Sequence, residues 1–214
     1  LSVEYCTTVT GCGEWVSNTA NLWRTTADVQ STWVSVMNNI HENNQLHSIA
    51  TVGHYNDPDM LQIGNIGLTV DEQYSQMSLW CIAGAPLLAG TDIIHMSKTT
   101  SDILTNSEVT AINQDEGWNS RVQGFIVRSN TNYEVWVKRL ADGKSWAALL
   151  LNLNDTKVDK LVLKTSDLNG YPKNNAASIR DLWSKKNIGD FVNGTYTSDT
   201  VAAHGSVFLR ITAK

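Results

Sequence analysis

The sequence has little positive charge and no long apolar run. Sixteen Lys and Arg stand against twenty-one Asp and Glu, giving a formal net charge of −5. No basic cluster could follow a phosphate backbone, so nucleic acid is not an expected partner. The longest apolar stretches, such as LWCIAGAPLLAG (79–90), are shorter than a membrane span and are interrupted by Gly and Pro. We therefore expect no membrane partner either.

Cysteine and clustered histidine are also scarce. Three cysteines in 214 residues are too few for a disulfide scaffold. Cys6 and Cys12 are placed to close a short loop, although the spacing alone leaves the pairing open, whereas Cys81 lies in an apolar run typical of a buried thiol. The five His are scattered without the spacing of metal ligands. We expect no metal site and no cofactor.

The N-terminal segment LSVEYC lacks an initiating Met and a cleavage-type signal, and it already has the pattern of a strand. This predicts that the chain begins inside a larger protein. Two acceptor sequons for N-glycosylation, at Asn154 and Asn193, favour a secreted or extracellular location, or a compartment like the lysosome or vacuole. Such triplets also occur by chance, so the sequons alone do not decide the location.

The first 118 residues alternate short apolar strands with helical patterns. This alternation predicts a parallel sheet with helical crossovers. The expected helices lie near 29–43, 71–84 and 101–107, and the helix at 71–84 has Thr69 or Asp71 as its candidate cap. The expected strands are LSVEYC, NLWRTTADV, IATVGHYNDPDM and GAPLLAG.

From about residue 121 the pattern changes to alternating strands separated by turn residues. ADGK (141–144) carries the Asp-Gly signal of a hairpin between two of these strands. We predict an antiparallel sandwich or barrel here, and two domains, residues 1–118 and 119–214. The expected strands are RVQGFIVRS, YEVWVKRL, SWAALLLNL, DKLVLKTS, ASIRDLWS and GSVFLRITA.

Each of the first three predicted strands ends in a carboxylate. Glu4 ends the first strand, Asp28 follows Arg24 at the second, and the third ends in the segment NDPDM (56–60). Because the carboxyl ends of parallel strands meet at one edge of a sheet, we expect these side chains to converge. Convergent carboxylates with an Arg suit hydroxyl-rich ligands, and glycoside hydrolysis needs two carboxyl groups.

The proline in NDPDM explains why acidic residues crowd around it. Pro58 fixes its own φ and pushes Asp57 toward an extended conformation, so the segment is held in a bend. We expect Asp57 to maintain this bend through an Asx-type hydrogen bond. Asp59 and Met60 would then be presented at the edge of the sheet.

Three segments, in this order and spacing, resemble the second half of the family 27 glycoside hydrolases, the α-galactosidase or melibiase family. They are LWRTTADV, NDPDMLQIGNIGLTVDEQYSQMSLWCIAGAPLLAG and SEVTAINQD, and RDLW and AHGSVFLRIT extend the resemblance into the C-terminal β-domain of the family. The resemblance implies the second half of a (β/α)₈ TIM barrel, with the four strands as the fifth to eighth. An antiparallel β-sandwich domain would follow, and the N-terminal half of the same enzyme would precede it.

The resemblance also implies roles for single residues. Asp28 would be the catalytic acid/base, Arg24 would bind the sugar, and Asp59 and Met60 would contact the substrate. Glu4 would lie near the second carbon of the sugar and favour galactose over N-acetylgalactosamine. Without the resemblance, Asp28 could be a helix N-cap, Arg24 a partner in a surface ion pair, and Glu4 an exposed acid at a strand end.

The implied function is a retaining glycoside hydrolase that releases terminal α-linked galactose from α-galactoside sugars. The nucleophilic Asp of the family would lie upstream of Leu1, so the chain alone is expected to be inactive. Two alternatives stay open. The enzyme could act on α-N-acetylgalactosaminides, β-L-arabinopyranosides or isomalto-type glucans, or the β-half could be a non-catalytic carbohydrate-binding module. The sequence offers little support for a binding module, because Tyr133, Trp136 and Trp146 fall in predicted strand interiors.

Overall fold

The computed structural model describes residues 2–3, 6, 14–158, 160–172 and 176–214. It shows an α/β unit followed by an all-β unit, which confirms the predicted fold class. The predictions that concern Glu4 and Cys12 lie outside the described residues. Within the described ranges, no helix is long and apolar enough to cross a membrane.

Parallel strands form the sheet of the α/β unit, in the order β1-β2-β3. Helix α3 begins at Thr69, whose side chain accepts a hydrogen bond from the Glu72 backbone while the Glu72 carboxylate accepts one from the Thr69 backbone. This capping box selects Thr69 over Asp71 as the cap. The elements are β1 (Ser2–Val3), α1 (Glu14–Thr19), β2 (Leu22–Arg24), α2 (Trp33–Gln45), β3 (Tyr55–Asp57) and α3 (Val70–Ile82).

The prediction of a fourth strand over GAPLLAG is wrong, because the segment does not form a regular strand. This segment makes a single parallel bridge, Leu61 to Ala89, rather than a strand. Gly84 adopts a φ of +61°, outside strand geometry, and Pro86 has no backbone N–H to donate to a ladder. Its apolar residues are also unevenly buried, since Ala85 is buried whereas Leu88 is 47% exposed.

The helix predicted near 101–107 is also corrected. Two short helices, α4 (Lys98–Leu104) and α5 (Ser107–Asn113), occupy this region. They separate at Asn106, whose side-chain oxygen accepts hydrogen bonds from the backbone N–H groups of Glu108 and Val109. An Asn that caps the following helix ends the preceding one, because its backbone leaves helical geometry.

The all-β unit is a six-stranded antiparallel sheet, ordered β4-β5-β6-β11-β8-β9, with a two-stranded sheet of β7 and β10. The predicted ADGK hairpin joins β5 to β6. Strands β9 and β10 were not predicted from the sequence. Both are short, β9 is exposed throughout and β10 is half-buried, so they carry little apolar alternation. The strands are β4 (Phe125–Ser129), β5 (Tyr133–Arg139), β6 (Ser145–Asn152), β7 (Val162–Lys164), β8 (Ala177–Asp181), β9 (Lys186–Gly189), β10 (Thr195–Thr197) and β11 (Ser206–Ala213).

Strand β6 is buried on both faces and joins the two units. Ala147, Leu149 and Leu151 belong to the apolar core that contains α3. The alternate residues, including Ala148 and Leu150, belong to the core that also contains β7 and β8 residues. Because side chains alternate along a strand, one face of the sheet packs against α3 and the other face packs within the sandwich.

Candidate active site

The edge formed by the carboxyl ends of β2 and β3 carries the predicted site. Arg24 and Asp57 are the last residues of these strands, and they lie opposite each other in the parallel register. The chain then turns away from the sheet through Asp28 in one loop and Asp59 in the other. The two loops therefore start from neighbouring points of the sheet.

Arg24 joins the two loops through one nitrogen of its guanidinium. Its Nη2 lies 2.8 Å from Oδ2 of Asp59 and 3.2 Å from Oδ1 of Asp28. The side chain of Asp28 is 89% exposed, that of Asp59 is 12% exposed, and that of Arg24 is 21% exposed. The structure thus brings three of the predicted residues together and presents Asp28 to solvent.

Asp28 does not cap the following helix. Helix α2 begins after Thr32, whose hydroxyl oxygen accepts a hydrogen bond from the backbone N–H of Ser35 at 3.3 Å. The alternative interpretation of Asp28 as the N-cap is therefore not realised, and its exposed carboxylate is available for chemistry. The catalytic role of Asp28 stays a prediction.

Asp59 is fixed by several contacts in a backbone conformation that is uncommon for a non-glycine residue, with φ at +80°. Its Oδ2 accepts a hydrogen bond from the backbone N–H of Val29 at 2.9 Å, and its Oδ1 accepts one from Met60 at 2.7 Å. With Arg24 also bound, the carboxylate of Asp59 organises both loops. Met60 is partly exposed beside it, and the substrate contacts predicted for both residues stay predictions.

Asp57 holds the bend around Pro58 as predicted. Its Oδ1 accepts a hydrogen bond from the backbone N–H of Asp59 at 2.8 Å, which is an Asx-type turn. Burial raises the pKa of the Asp57 carboxyl, while the N–H of Asp59 and the charge of Arg24 lower it. Asp57 therefore has a structural place beneath the edge, while Asp28 is the carboxylate that faces solvent.

Sequence reasoning missed Asn39, a buried residue of α2 that contacts both loops. Its amide nitrogen Nδ2 lies 3.0 Å from the Thr26 hydroxyl, 3.0 Å from the Ala27 carbonyl oxygen and 3.1 Å from the Pro58 carbonyl oxygen. The available signal was a pair of polar residues, Asn39 and Asn43, four apart on an otherwise apolar helix face. Amide side chains on a buried face require partners, which here are loop atoms.

A second group of buried polar side chains continues beneath the edge. Asn43 donates to the Thr25 hydroxyl at 3.0 Å and accepts a hydrogen bond from Gln123 at 2.7 Å. Gln123 in turn accepts a hydrogen bond from Asn56 at 2.8 Å, and Asn56 accepts one from the Trp23 indole at 2.6 Å. This amide network, comprising Trp23, Thr25, Asn43, Asn56 and Gln123, links the strands to the segment just before β4.

The remaining predicted residues lie away from this edge. Cys81 is a free, buried thiol, as predicted, and burial raises its pKa. Cys6 is buried, but its predicted partner Cys12 lies outside the described residues, so the pairing stays a prediction. Asn193 is exposed in a tight turn, whereas the Asn154 amide nitrogen donates to the Asn132 carbonyl and the Asn152 side chain.

No group of three or more His, Cys, Asp or Glu side chains in the described part of the chain is arranged to hold a metal ion. At the strand edge, the Arg24 guanidinium lies within ion-pair distance of Asp28 and Asp59. An additional donor is present there, because Nε of Arg24 is buried and has no hydrogen-bond partner among the described residues.

Known proteins match both units. The family model described as alpha galactosidase A matches residues 8–115, and the model of the alpha galactosidase C-terminal beta sandwich domain matches residues 130–211. An alpha-galactosidase of Cyamopsis tetragonoloba is 39% identical over 169 residues, which are 79% of this chain and 40% of that protein. An alpha-N-acetylgalactosaminidase of Mus musculus is 35% identical over 187 residues, which are 85% of this chain and 43% of that protein.

The solved structure of alpha-galactosidase I from Mortierella vinacea superposes with a TM-score of 0.86 at 27% identity, and covers 97% of this chain and 57% of that chain. This chain spans less than half the length of the curated relatives named above. The match to a family model across residues 8–115, together with the fold, decides the family. The chain belongs to glycoside hydrolase family 27, the alpha-galactosidase family, and comprises part of its barrel followed by its C-terminal beta sandwich.

Proposed function

We propose that this chain supplies the acid/base side of a retaining glycoside hydrolase that releases terminal α-linked galactose. The observation that carries the proposal is the exposed carboxylate of Asp28, which lies at the carboxyl edge of the parallel sheet and 3.2 Å from Nη2 of Arg24. Active sites of (β/α)₈ barrels are built at this edge. Relatives described as alpha-galactosidases support the substrate class.

In this proposal, Asp28 first donates a proton to the leaving glycosidic oxygen. In the second step its carboxylate takes a proton from the water that releases the sugar. A retaining mechanism needs a nucleophilic carboxylate about 5 to 5.5 Å from the acid/base. We assign the nucleophile to the N-terminal half of the same enzyme, so the chain alone would be inactive.

The neighbours of Asp28 fit the binding of a polyhydroxylated ring. The Arg24 side chain is 21% exposed and carries N–H donors, for which hydroxyl groups of a sugar are suitable acceptors. Met60 adds a partly exposed apolar surface next to Asp59. These features support a sugar site that is completed by groups from other parts of the enzyme.

Asp28→Asn in the full-length enzyme tests the proposal. The change keeps the shape of the side chain but removes the proton donor, so hydrolysis of melibiose should fall by about 10²- to 10⁴-fold. The loss should be smaller for an aryl galactoside whose leaving group needs no protonation.

Lys98 and Asp102 provide a matched control, because they form an exposed ion pair with the same four-residue spacing as Arg24 and Asp28. Asp102→Asn should leave both activities unchanged. Equal losses on melibiose and the aryl galactoside for Asp28→Asn would show that Asp28 is not the proton donor.

The choice between galactosides and N-acetylgalactosaminides rests on Glu4, which lies outside the described residues. The similarity to the mouse alpha-N-acetylgalactosaminidase makes the second substrate class a specific alternative. Glu4→Ser would open space and remove an acceptor for the 2-hydroxyl, so it should shift turnover toward aryl α-N-acetylgalactosaminides. If the wild-type enzyme already turned over aryl α-N-acetylgalactosaminides faster than aryl galactosides, the second substrate class would be the correct one.

We also propose that the enzyme follows the secretory pathway and that a glycan is attached to Asn193 in preference to Asn154. Asn193 is exposed, whereas the nitrogen to which a glycan would attach on Asn154 already donates two hydrogen bonds. Removal of N-glycans from protein expressed by a secreting host should lower its mass, and Asn193→Gln should reduce that difference. An unchanged mass would contradict the proposal.

A further inference from the structure

Asn39 is a buried side chain that lies between the two loops of the candidate site. It is 5% exposed and belongs to α2, which lies between β2 and β3 in the chain. Its Nδ2 is within 3.1 Å of three oxygens, one on the Pro58 carbonyl and two in the loop after β2, on Thr26 and Ala27. One amide group thus links a helix to both loops.

The chemistry of these contacts requires a donor at this position. Two of the three surrounding atoms are carbonyl oxygens, which only accept hydrogen bonds, and an amide nitrogen offers two hydrogens. An Asp of the same shape would place carboxylate oxygens against these carbonyls and would leave buried acceptors unpaired. The orientation of the Asn39 amide follows from the same network, because its own oxygen cannot face the carbonyls.

The regular pairing of the two strands ends at Arg24 and Asp57. Beyond that point side chains link the two loops, and Asn39 adds to the links made by Asp59 to Arg24 and to the Val29 backbone. The Asp28 side chain makes one ion pair within the part of the chain that the structure describes, with Arg24 at 3.2 Å. The backbone of the loop, which carries Asp28, therefore contributes to the position of its carboxylate. Asn39 binds that backbone at Ala27, the residue before Asp28, and binds the other loop at Pro58, the residue before Asp59.

We propose that Asn39 is a positioning residue that sets the distance of the acid/base Asp28 from the sugar contacts around Asp59. The inference rests on the proposed function and deepens it. Misplacing a catalytic group by about 1 Å can cost as much as 10²-fold in rate, although the group itself is unchanged. Loss of Asn39 should therefore impair the step that Asp28 performs, as well as the stability of the loops.

The test compares Asn39→Asp with Asn38→Asp in the full-length enzyme. Both changes are identical in chemistry and adjacent on α2, but Asn38 is exposed. For Asn39→Asp we expect kcat on melibiose to fall by roughly 10- to 100-fold, with a smaller fall on an aryl galactoside that needs no protonation. Asn38→Asp should change neither. Asn39→Ser, which keeps a smaller donor, should fold if Asn39→Asp does not, and should show the same substrate dependence more weakly.

Hydrogen–deuterium exchange gives a readout without catalysis. In Asn39→Asp, amides in residues 25–30 and 57–61 should exchange faster, while amides of β6 should not change. A residue that only stabilises the fold would lower the melting temperature and reduce both activities by the same factor. That result, or unchanged exchange in the two loops, would overturn the inference.

Asp28→Asn measured in parallel separates this inference from the proposed function. If Asp28→Asn shows the substrate dependence and Asn39→Asp and Asn39→Ser do not, the positioning role fails and the proposed function stands. If Asp28→Asn affects both substrates equally, the proposed function fails, and the positioning role that rests on it fails as well.

Discussion

The α/β unit and the all-β unit are stabilised by different means at their most important positions. Strands β2 and β3 are three residues long, and the loops beyond them are held by side-chain amides, carboxylates and one Arg. Strand β6 is eight residues long and buried throughout, with apolar side chains packed into a separate core on each face. Directional hydrogen bonds organise the first region, and burial of apolar surface organises the second.

This difference indicates how each region should respond to change. An apolar core loses stability in proportion to the volume removed and does not depend on the direction of single contacts. A buried polar network depends on every member being paired, since one missing donor leaves an acceptor unsatisfied. Changes at the strand edge should therefore affect catalysis, and changes at β6 should affect stability alone.

The largest effect on stability is expected from Leu149→Ala in β6. Leu149 is fully buried in the core shared with α3, and removing a Leu side chain from such a core costs about 2 to 5 kcal/mol. The kcat of the folded fraction should not change. Urea denaturation and kcat on melibiose measure the two quantities.

Leu150→Ala is the matched control, because Leu150 is equally buried but faces the core within the sandwich. It should cost a similar free energy of unfolding, whereas only Leu149→Ala should speed hydrogen exchange in α3. A loss of kcat in the folded fraction of either variant would contradict the separation of the two regions.

Lys138 places a buried charge where the two units meet, and its effect should depend on pH. Its Nζ donates to the carbonyl oxygens of Ile112 and Asp115 at 2.8 and 2.7 Å, and burial lowers its pKa to about 8. In the unfolded chain a Lys keeps its proton up to about pH 10.4. Between these values the unfolded state binds more protons than the folded state, so the free energy of unfolding should rise with pH across that window.

The expected rise is roughly 3 kcal/mol between pH 8 and 10.4, at about 1.4 kcal/mol for each unit of pKa difference. Lys138→Met lacks the titrating group, so its free energy of unfolding should not show this increase with pH. Denaturant midpoints of both proteins from pH 7 to 10.5 provide the measurement. Parallel pH profiles would show that Lys138 does not titrate in this range.

The sequence predicted the features that depend on local pattern. The apolar run of SWAALLLNL after a turn signal predicted a strand, and the position of Asp28 after a strand predicted a residue at the carboxyl edge. GAPLLAG misled because its apolar residues suggested a strand, while Gly84 and Pro86 prevent regular pairing. Which face of β6 contacts α3 depends on tertiary packing, which alternation alone does not encode.

Asn39 and Gln123 escaped prediction for a different reason. The sequence alone does not show whether a polar side chain contacts solvent, a backbone carbonyl or another amide. Its partners lie in other loops, and their distances follow from how the helices and strands pack. The acidic residues of the site were easier to find, because a proline and the ends of strands mark their positions.

The smallest effect on stability is expected from Gln123→Leu. This variant also tests most directly the contrast between the strand edge and β6. Leu has similar volume but removes the acceptor for Asn56 and the donor to Asn43, so buried polar atoms lose partners at a cost of about 1 to 3 kcal/mol. Asn43 in turn contacts Thr25, next to Arg24, so loss of these hydrogen bonds should also displace the candidate site and lower kcat.

Gln114→Leu makes the same change at an exposed position and should alter stability by less than about 0.5 kcal/mol. Urea denaturation together with kcat on melibiose distinguishes the two regions: Gln123→Leu should reduce both, although its cost in stability is below that of Leu149→Ala. If Gln123→Leu lowered stability but left kcat of the folded fraction intact, the amide network would have the same role as the apolar core, and the contrast between the two regions would fail.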